Sequence, residues 1–213
     1  KLEETAGNPR NDEVGSNDLN DAVNTANGTG KIGMGADFEL DVPNYLEVAD
    51  NAAVSVSGDF CFMYWVKLES KTSIQTYIAK RSATSGVGTQ EYNSIYINSS
   101  DRFSINIWNS SSTINTLTLN NTGAISTGVW YHVYVEKKGT TLKAIVNNST
   151  VDSMTTTVTM FDGANTFQVG TQLTTRQFSA DAVMDEVYFA SGKTLPRGAL
   201  TWYYNNGLGR VIF

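Results

Sequence analysis

From residue 45 onward the chain is a succession of short apolar or alternating runs separated by turn-forming residues, and that recurrence leaves few folds open. The runs are YLEVA, FCFMYWVKL, TYIAKR, NSIYIN, RFSINIW, NTLTLN, WYHVYVEKK, TLKAIVN, FQVGT and AVMDEVYFA. Each has strand length, and their β-branched and aromatic residues suit a pleated surface. Their spacing is that of an all-β sandwich, expected here as one domain over residues 1–213. Two hairpins can be read directly, one turning at Lys138-Gly139 and one at Ser99-Ser100-Asp101. One short helix is expected near the end: Pro196 opens it, RGALTWYYNN forms its body and Gly207 closes it.

Composition agrees with strands and turns. Apolar residues make up 40% and charged ones only 17%, with much of the rest Asn, Thr, Ser and Gly. Cys61 is the single cysteine, so no internal disulfide can form, and its neighbours in FCFMYWV predict a buried, inert thiol. The net charge of −6 argues against sequence-independent nucleic-acid binding, which needs clustered Lys and Arg. Residues 1–50 hold eleven acidic against three basic side chains, an acidic region that is either solvated or suited to a hard cation. No apolar run approaches a membrane span, and Lys1 suggests a piece of a longer precursor.

Gly28, Gly30 and Gly33 fall on the G-x-G-x-x-G spacing of a dinucleotide-binding turn. That chemistry needs a buried strand before the glycines and a helix after them, whose N–H groups hold the phosphate. Here NDLNDAVNTAN precedes them without an apolar run, and FELDVPNYLEV follows in an extended pattern containing Pro43. The nucleotide reading is therefore set aside.

Six pieces taken in order carry a resemblance: KLEETAGNPRNDEVGSNDL; GKIGMGADFE with NYLEVAD; FCFMYWVKL; GVWYHVYVEKKGTTLKAIVN; FQVG; and VMDEVYFASGKTLPRGALTWYYNNGLG. They cover nearly the whole chain, which resembles the laminin-G-like, concanavalin A-like jelly-roll domains. The resemblance implies a two-sheet antiparallel β-sandwich of jelly-roll type with a short C-terminal helix and adjacent first and last segments. It makes GKIGMGADF a turn leading into an edge strand. VNNST at 146–150 departs from the Asp-Gly turn of many relatives.

The hairpin 92–109 offers the main candidate site. Pairing Ile97 with Phe103 and Ile95 with Ile105 buries four apolar residues on one face. The other face then sets Tyr96 against Ser104, Ser94 against Asn106, and Tyr92 against Trp108. Aromatic rings interleaved with short hydroxyls and amides suit the C–H faces and hydroxyl rims of sugars, so Tyr92, Tyr96, Trp108, Asn106 and Ser94 form an expected glycan platform. The alternative is that the rings pack under a loop or against a partner subunit. Trp65 and Trp130 are expected in the core, and Trp202, Tyr203 and Tyr204 dock the helix.

The resemblance also implies a structural calcium ion, with Asp12 near Asp185; the competing reading has Asp12 capping a turn and Asp185 in a surface ion pair. His132 is the only histidine, which rules out a multi-His zinc site and fits a strand residue better than a general base. Catalysis finds little support: no G-x-S-x-G elbow occurs, and neighbours Asp185 and Glu186 point to opposite strand faces. Sequons at Asn27, Asn98, Asn109, Asn120 and Asn148 are about what chance provides.

These readings converge on a non-catalytic, extracellular or phage-particle module binding glycans or a glycosylated surface. The alternatives are a decoration protein of a virion or surface layer, with other subunits as partners, and an accessory lectin domain of a glycosidase.

Overall fold

The computed structural model describes residues 2–210 apart from 3, 5–8, 14, 22, 43, 82–89, 98, 111 and 173–177. Two seven-stranded antiparallel sheets face each other. The first runs in the order β1 (Asn20–Asp21), β4 (Leu46–Val48), β13 (Phe167–Val169), β6 (Gln75–Arg81), β7 (Gln90–Ile97), β8 (Arg102–Trp108), β9 (Ile114–Thr118). The second runs β12 (Thr150–Thr155), β11 (Thr141–Val146), β10 (Trp130–Lys138), β5 (Phe60–Leu68), β14 (Ala182–Ser191), β3 (Met34–Phe38), β2 (Ala26–Thr29). One helix, α1 (Arg197–Tyr204), follows. This is the expected concanavalin A-like sandwich. No helix among the described residues is long and apolar enough to cross a membrane.

The two-residue period of β5 explains how the layers are held. Phe60, Phe62, Tyr64, Val66 and Leu68 point between the sheets, where they meet Val133 and Val135 of β10 and Ile105 and Ile107 of β8. Cys61 and Met63 point the other way and join Tyr134, Ile145, Ala190 and Leu200 beneath α1. A strand covered on both faces reads as a continuous apolar run, and each fully buried side chain of this size contributes about 1.5–3 kcal/mol. Burial pushes the Cys61 thiol up to about 11, as expected of an inert cysteine.

Turn chemistry decides the rest. Gly30–Gly33 closes the β2–β3 hairpin, with Gly30 N donating to Gly33 O at 3.0 Å and Gly33 at φ +66°. A Cβ on Gly30 would lie 2.7 Å from the Met34 carbonyl, so close approach demands glycine there. The glycines thus serve a tight hairpin, and the edge strand beside it is β2, not β3. In VNNST, Asn147 (φ +51°) and Asn148 (φ +54°) both take the left-handed region, the role an Asp-Gly pair fills elsewhere. At the end of α1 the left-handed cap is Asn205 (φ +47°), two residues before the expected Gly207, because asparagine also tolerates that region.

The hairpin register departs from expectation by one residue. Tyr92 pairs with Ile107, Ser94 with Ile105, and Tyr96 with Phe103. The inward face therefore receives two tyrosines, a phenylalanine and two isoleucines, more apolar area than the alternative with Ile95 and Ile97, and a ring outweighs an aliphatic side chain. The polar atoms buried by this choice are partly met. Ser94 Oγ lies 2.6 Å from Tyr64 Oη of the facing sheet, and Tyr96 Oη donates to Asp101 Oδ1 at 2.6 Å. Asp101 itself is at φ +54°, which sets the chain path through the turn.

Candidate functional site: the outer face of the first sheet

The slipped register removes Tyr92, Ser94 and Tyr96 from the expected platform, since all three are fully buried between the sheets. Asn106 and Trp108 remain on the outer face. Asn93, hidden from view by the assumed register, joins them opposite Asn106.

Following the pairings across the sheet gives one row with a residue from every strand: Asn20, Glu47, Gln168, Ala79, Asn93, Asn106 and Thr116. Except for Ala79, every member is polar. Thr116 Oγ1 donates to Asn106 Oδ1 at 2.7 Å, Asn106 Nδ2 to Asn93 Oδ1 at 2.9 Å, and Asn93 Nδ2 to Gln172 Oε1 at 2.5 Å. Arg81 Nη1 adds a second donor to Gln172 Oε1 at 3.2 Å, and the guanidinium carbon lies 4.9 Å from the Trp108 ring centre. Burial pulls the Arg81 guanidinium down to about 10, still charged at neutral pH. Asn93, Asn106, Arg81, Trp108 and Gln172 are all buried, whereas the row ends in exposed Asn20 and Thr116. Arg81 and Gln172 were missed from sequence because nothing local links residues 91 positions apart. A sheet register was needed to do so.

The two carboxylates expected to share calcium each accept hydrogen bonds from residues close to them in the fold. Asp12 Oδ2 accepts from Asn17 N at 3.1 Å and Asn17 Nδ2 at 3.3 Å, the pattern of a turn cap. Asp185 is fully buried, accepting from Ile32 N and Glu186 N at 2.8 Å each, and it braces the Gly30–Gly33 turn rather than forming a surface ion pair. Among the described residues, the carboxylates that converge are instead Asp37, Glu39 and Glu69, with oxygens within 4.8 Å of one another.

Trp65 stacks on Tyr204 of α1 (centroids 5.8 Å apart, 11° between planes), so the helix docks through its aromatic residue as expected. Trp130, by contrast, is half-buried at the sheet surface with Lys67 Nζ 5.4 Å from its centre, and Trp202 is 45% exposed. His132 lies against Trp65 at 4.9 Å, and burial pulls its imidazole down to about 4. A histidine neutral in the fold and titrating near 6.5 when unfolded adds stability above pH 6.5 that is lost as pH falls toward 4, about 3 kcal/mol in all. His132→Phe keeps the ring packing and removes the titration. Urea unfolding between pH 7.5 and 4.5 should show a shallower loss in the variant, and parallel losses would refute the assignment.

At the interior mouth of the first sheet, fully buried Lys80 places Nζ 2.7 Å from Asp50, 2.9 Å from Glu91 and 3.1 Å from Asp162. Asn165 Nδ2 donates to the other oxygen of Glu91 at 2.7 Å. The cluster ties β6 and β7 to the segments before β5 and β13.

Two seven-stranded antiparallel sheets packed face to face in this order are the concanavalin A-like, lectin-like class of β-sandwich. The chain is a member of the concanavalin A-like lectin/glucanases superfamily, whose laminin-G profile matches residues 40–195. A search of curated protein sequences gives no match. Among solved structures, the chain is similar to a botulinum neurotoxin serotype D ligand binding domain in complex with N-acetylneuraminic acid (TM-score 0.66, 12% identity, 92% of this chain and 49% of that one). It is also similar to domain 4 of AbnA, a GH43 extracellular arabinanase from Geobacillus stearothermophilus, in complex with arabinotriose (0.60, 18%, 97% and 87%). A third is the SAP-like pentraxin from Limulus polyphemus (0.56, 13%, 74% and 73%). At these identities the likeness shows the fold, and the chain spans about half the length of the toxin domain it matches.

Proposed function

We propose that the protein is a non-catalytic carbohydrate-binding module of an extracellular protein, with its site on the outer face of the first sheet around Asn93, Asn106, Arg81, Gln172 and Trp108. The observation that carries this reading is the row across the sheet, polar in every strand but β6. An amide both donates and accepts, as a sugar hydroxyl does, so the buried chain of amides, which reaches solvent through Thr116, can pass on an exchange of partners made there with a sugar hydroxyl. Trp108 supplies an apolar plane beside them. Thr116, exposed at the β9 edge, is where a glycan would approach. Glu47 is the one carboxylate of the row, whereas glycoside hydrolysis uses a pair flanking the scissile bond. Two of the structural neighbours are seen in complex with saccharides, which supports a glycan partner.

The test is a glycan array followed by calorimetry with the best binder, including arabinotriose and N-acetylneuraminic acid. Trp108→Ala and Asn106→Ala are each expected to weaken binding at least about tenfold, near 1.4 kcal/mol. A silent array, or unchanged affinity in Trp108→Ala, would overturn the reading.

A further inference from the structure

A cleft of about 480 Å³ opens between the second half of β14, the turn at Ala52–Val54 and the segment Arg10–Leu19. It shares no lining residue with the Asn106–Trp108 face. Its floor is the sandwich core itself, through Val48, Val54, Phe167, Val187 and Phe189. Asp12, Glu13, Asn17, Ser191 and Lys193 supply its polar groups.

Two features of the walls exceed what packing requires. Arg10 lines the cleft and is only 1% exposed; its terminal nitrogens bond to Leu2 O, Asn27 Oδ1 and Thr25 O, yet its Nε–H has no acceptor. Buried donors left unpaired are uncommon and call for an explanation. In β14 the pairing with β5 skips between Asp185 and Tyr188, and Glu186 inside this bulge sits at φ +47° while 1% exposed. The bulge turns Val187 and Phe189 inward, onto the cleft floor. Bulges that re-aim side chains and left-handed non-glycine residues both gather at functional sites.

The geometry points to a second ligand site, for a small neutral amphiphile: an aliphatic or aromatic body on Phe167 and Phe189, with a hydroxyl or carbonyl oxygen accepting from Arg10 Nε. The volume falls within the range of small-molecule pockets. A neutral head follows from the charges, because the Arg10 guanidinium already faces Asp21 at 3.9 Å, and the other charged groups of the lining, Asp12 and Glu13 against Lys193, leave an acidic balance that disfavours an anion.

The experiment titrates 1-octanol and, separately, octanoate into isotopically labelled protein, following amide shifts by NMR and Tm by calorimetry. Saturable shifts confined to cleft residues are expected, with octanol at least about fivefold tighter than octanoate at pH 7 and Tm raised by about 4 °C at ten times Kd. Ala53→Trp places a ring over the cleft from an exposed position and should abolish the shifts; Val187→Tyr fills the floor and serves if the first variant does not fold. Absence of saturable octanol binding, equal affinity in a folded blocking variant, or tighter octanoate binding would each overturn the proposal.

Discussion

Lys80→Met should lower the stability of the domain by about 3–5 kcal/mol, because removing one partner of a buried ionic cluster strands the others. Lys80 is the cation that the carboxylates of Asp50, Glu91 and Asp162 share, and Glu91 beside it is also fully buried. Burial already pushes Glu91 up to about 7 against the pull of Lys80 and Asn165. A carboxyl raised in the fold adds stability below its unfolded value of about 4.5 that is lost as pH rises through about 7. Without Lys80 that loss deepens, so the variant should recover on acidification from pH 8 to 5 more than the parent does. Denaturant unfolding at both pH values checks this. A cost below about 1 kcal/mol at pH 8, or no recovery at pH 5, would show that the cluster is not what closes this end of the sandwich.

Tyr92→Ala is expected to cost about 3–5 kcal/mol, the range for removing a buried aromatic ring. Tyr92 packs against Phe60 at 5.5 Å, Phe62 at 5.7 Å and Phe189 at 6.0 Å. Its hydroxyl is buried without a hydrogen-bond partner, so Tyr92→Phe should be neutral or mildly stabilising. Thermal and urea unfolding of both variants test the hairpin register itself. In the alternative register the ring lies on the outer face, and truncation there would change stability by no more than about 0.5 kcal/mol.

The candidate site was half legible. Asn106 and Trp108 alternate on β8 and share a face in any register, so the sequence placed them together. Their partners depend on β7, which carries apolar residues at both parities: Tyr92 and Tyr96 at one, Ile95 and Ile97 at the other. When both faces of a strand can be buried, local pattern does not choose between them. The choice came from the facing sheet, where Tyr64 Oη meets Ser94 and the Phe60–Phe62 stack receives Tyr92.

The sequence by itself determined the sandwich, the turn at 99–101, the two-sided burial of β5 and the terminal helix, since each rests on short-range periodicity or on a residue type that a turn demands; the β10–β11 turn falls at Gly139-Thr140, one residue past the expected Lys138-Gly139. It also left the glycine spacing at Gly28–Gly33 without a helix to serve, which was enough to discard a phosphate site. Tertiary structure alone decided the one-residue slip, the meeting of Arg81 and Gln172 with Trp108 and Asn93, and the burial of Asp185 against the Gly30–Gly33 turn. All three depend on contacts between segments far apart in the chain, where burial of aromatic area across the sandwich outweighs what any single strand prefers.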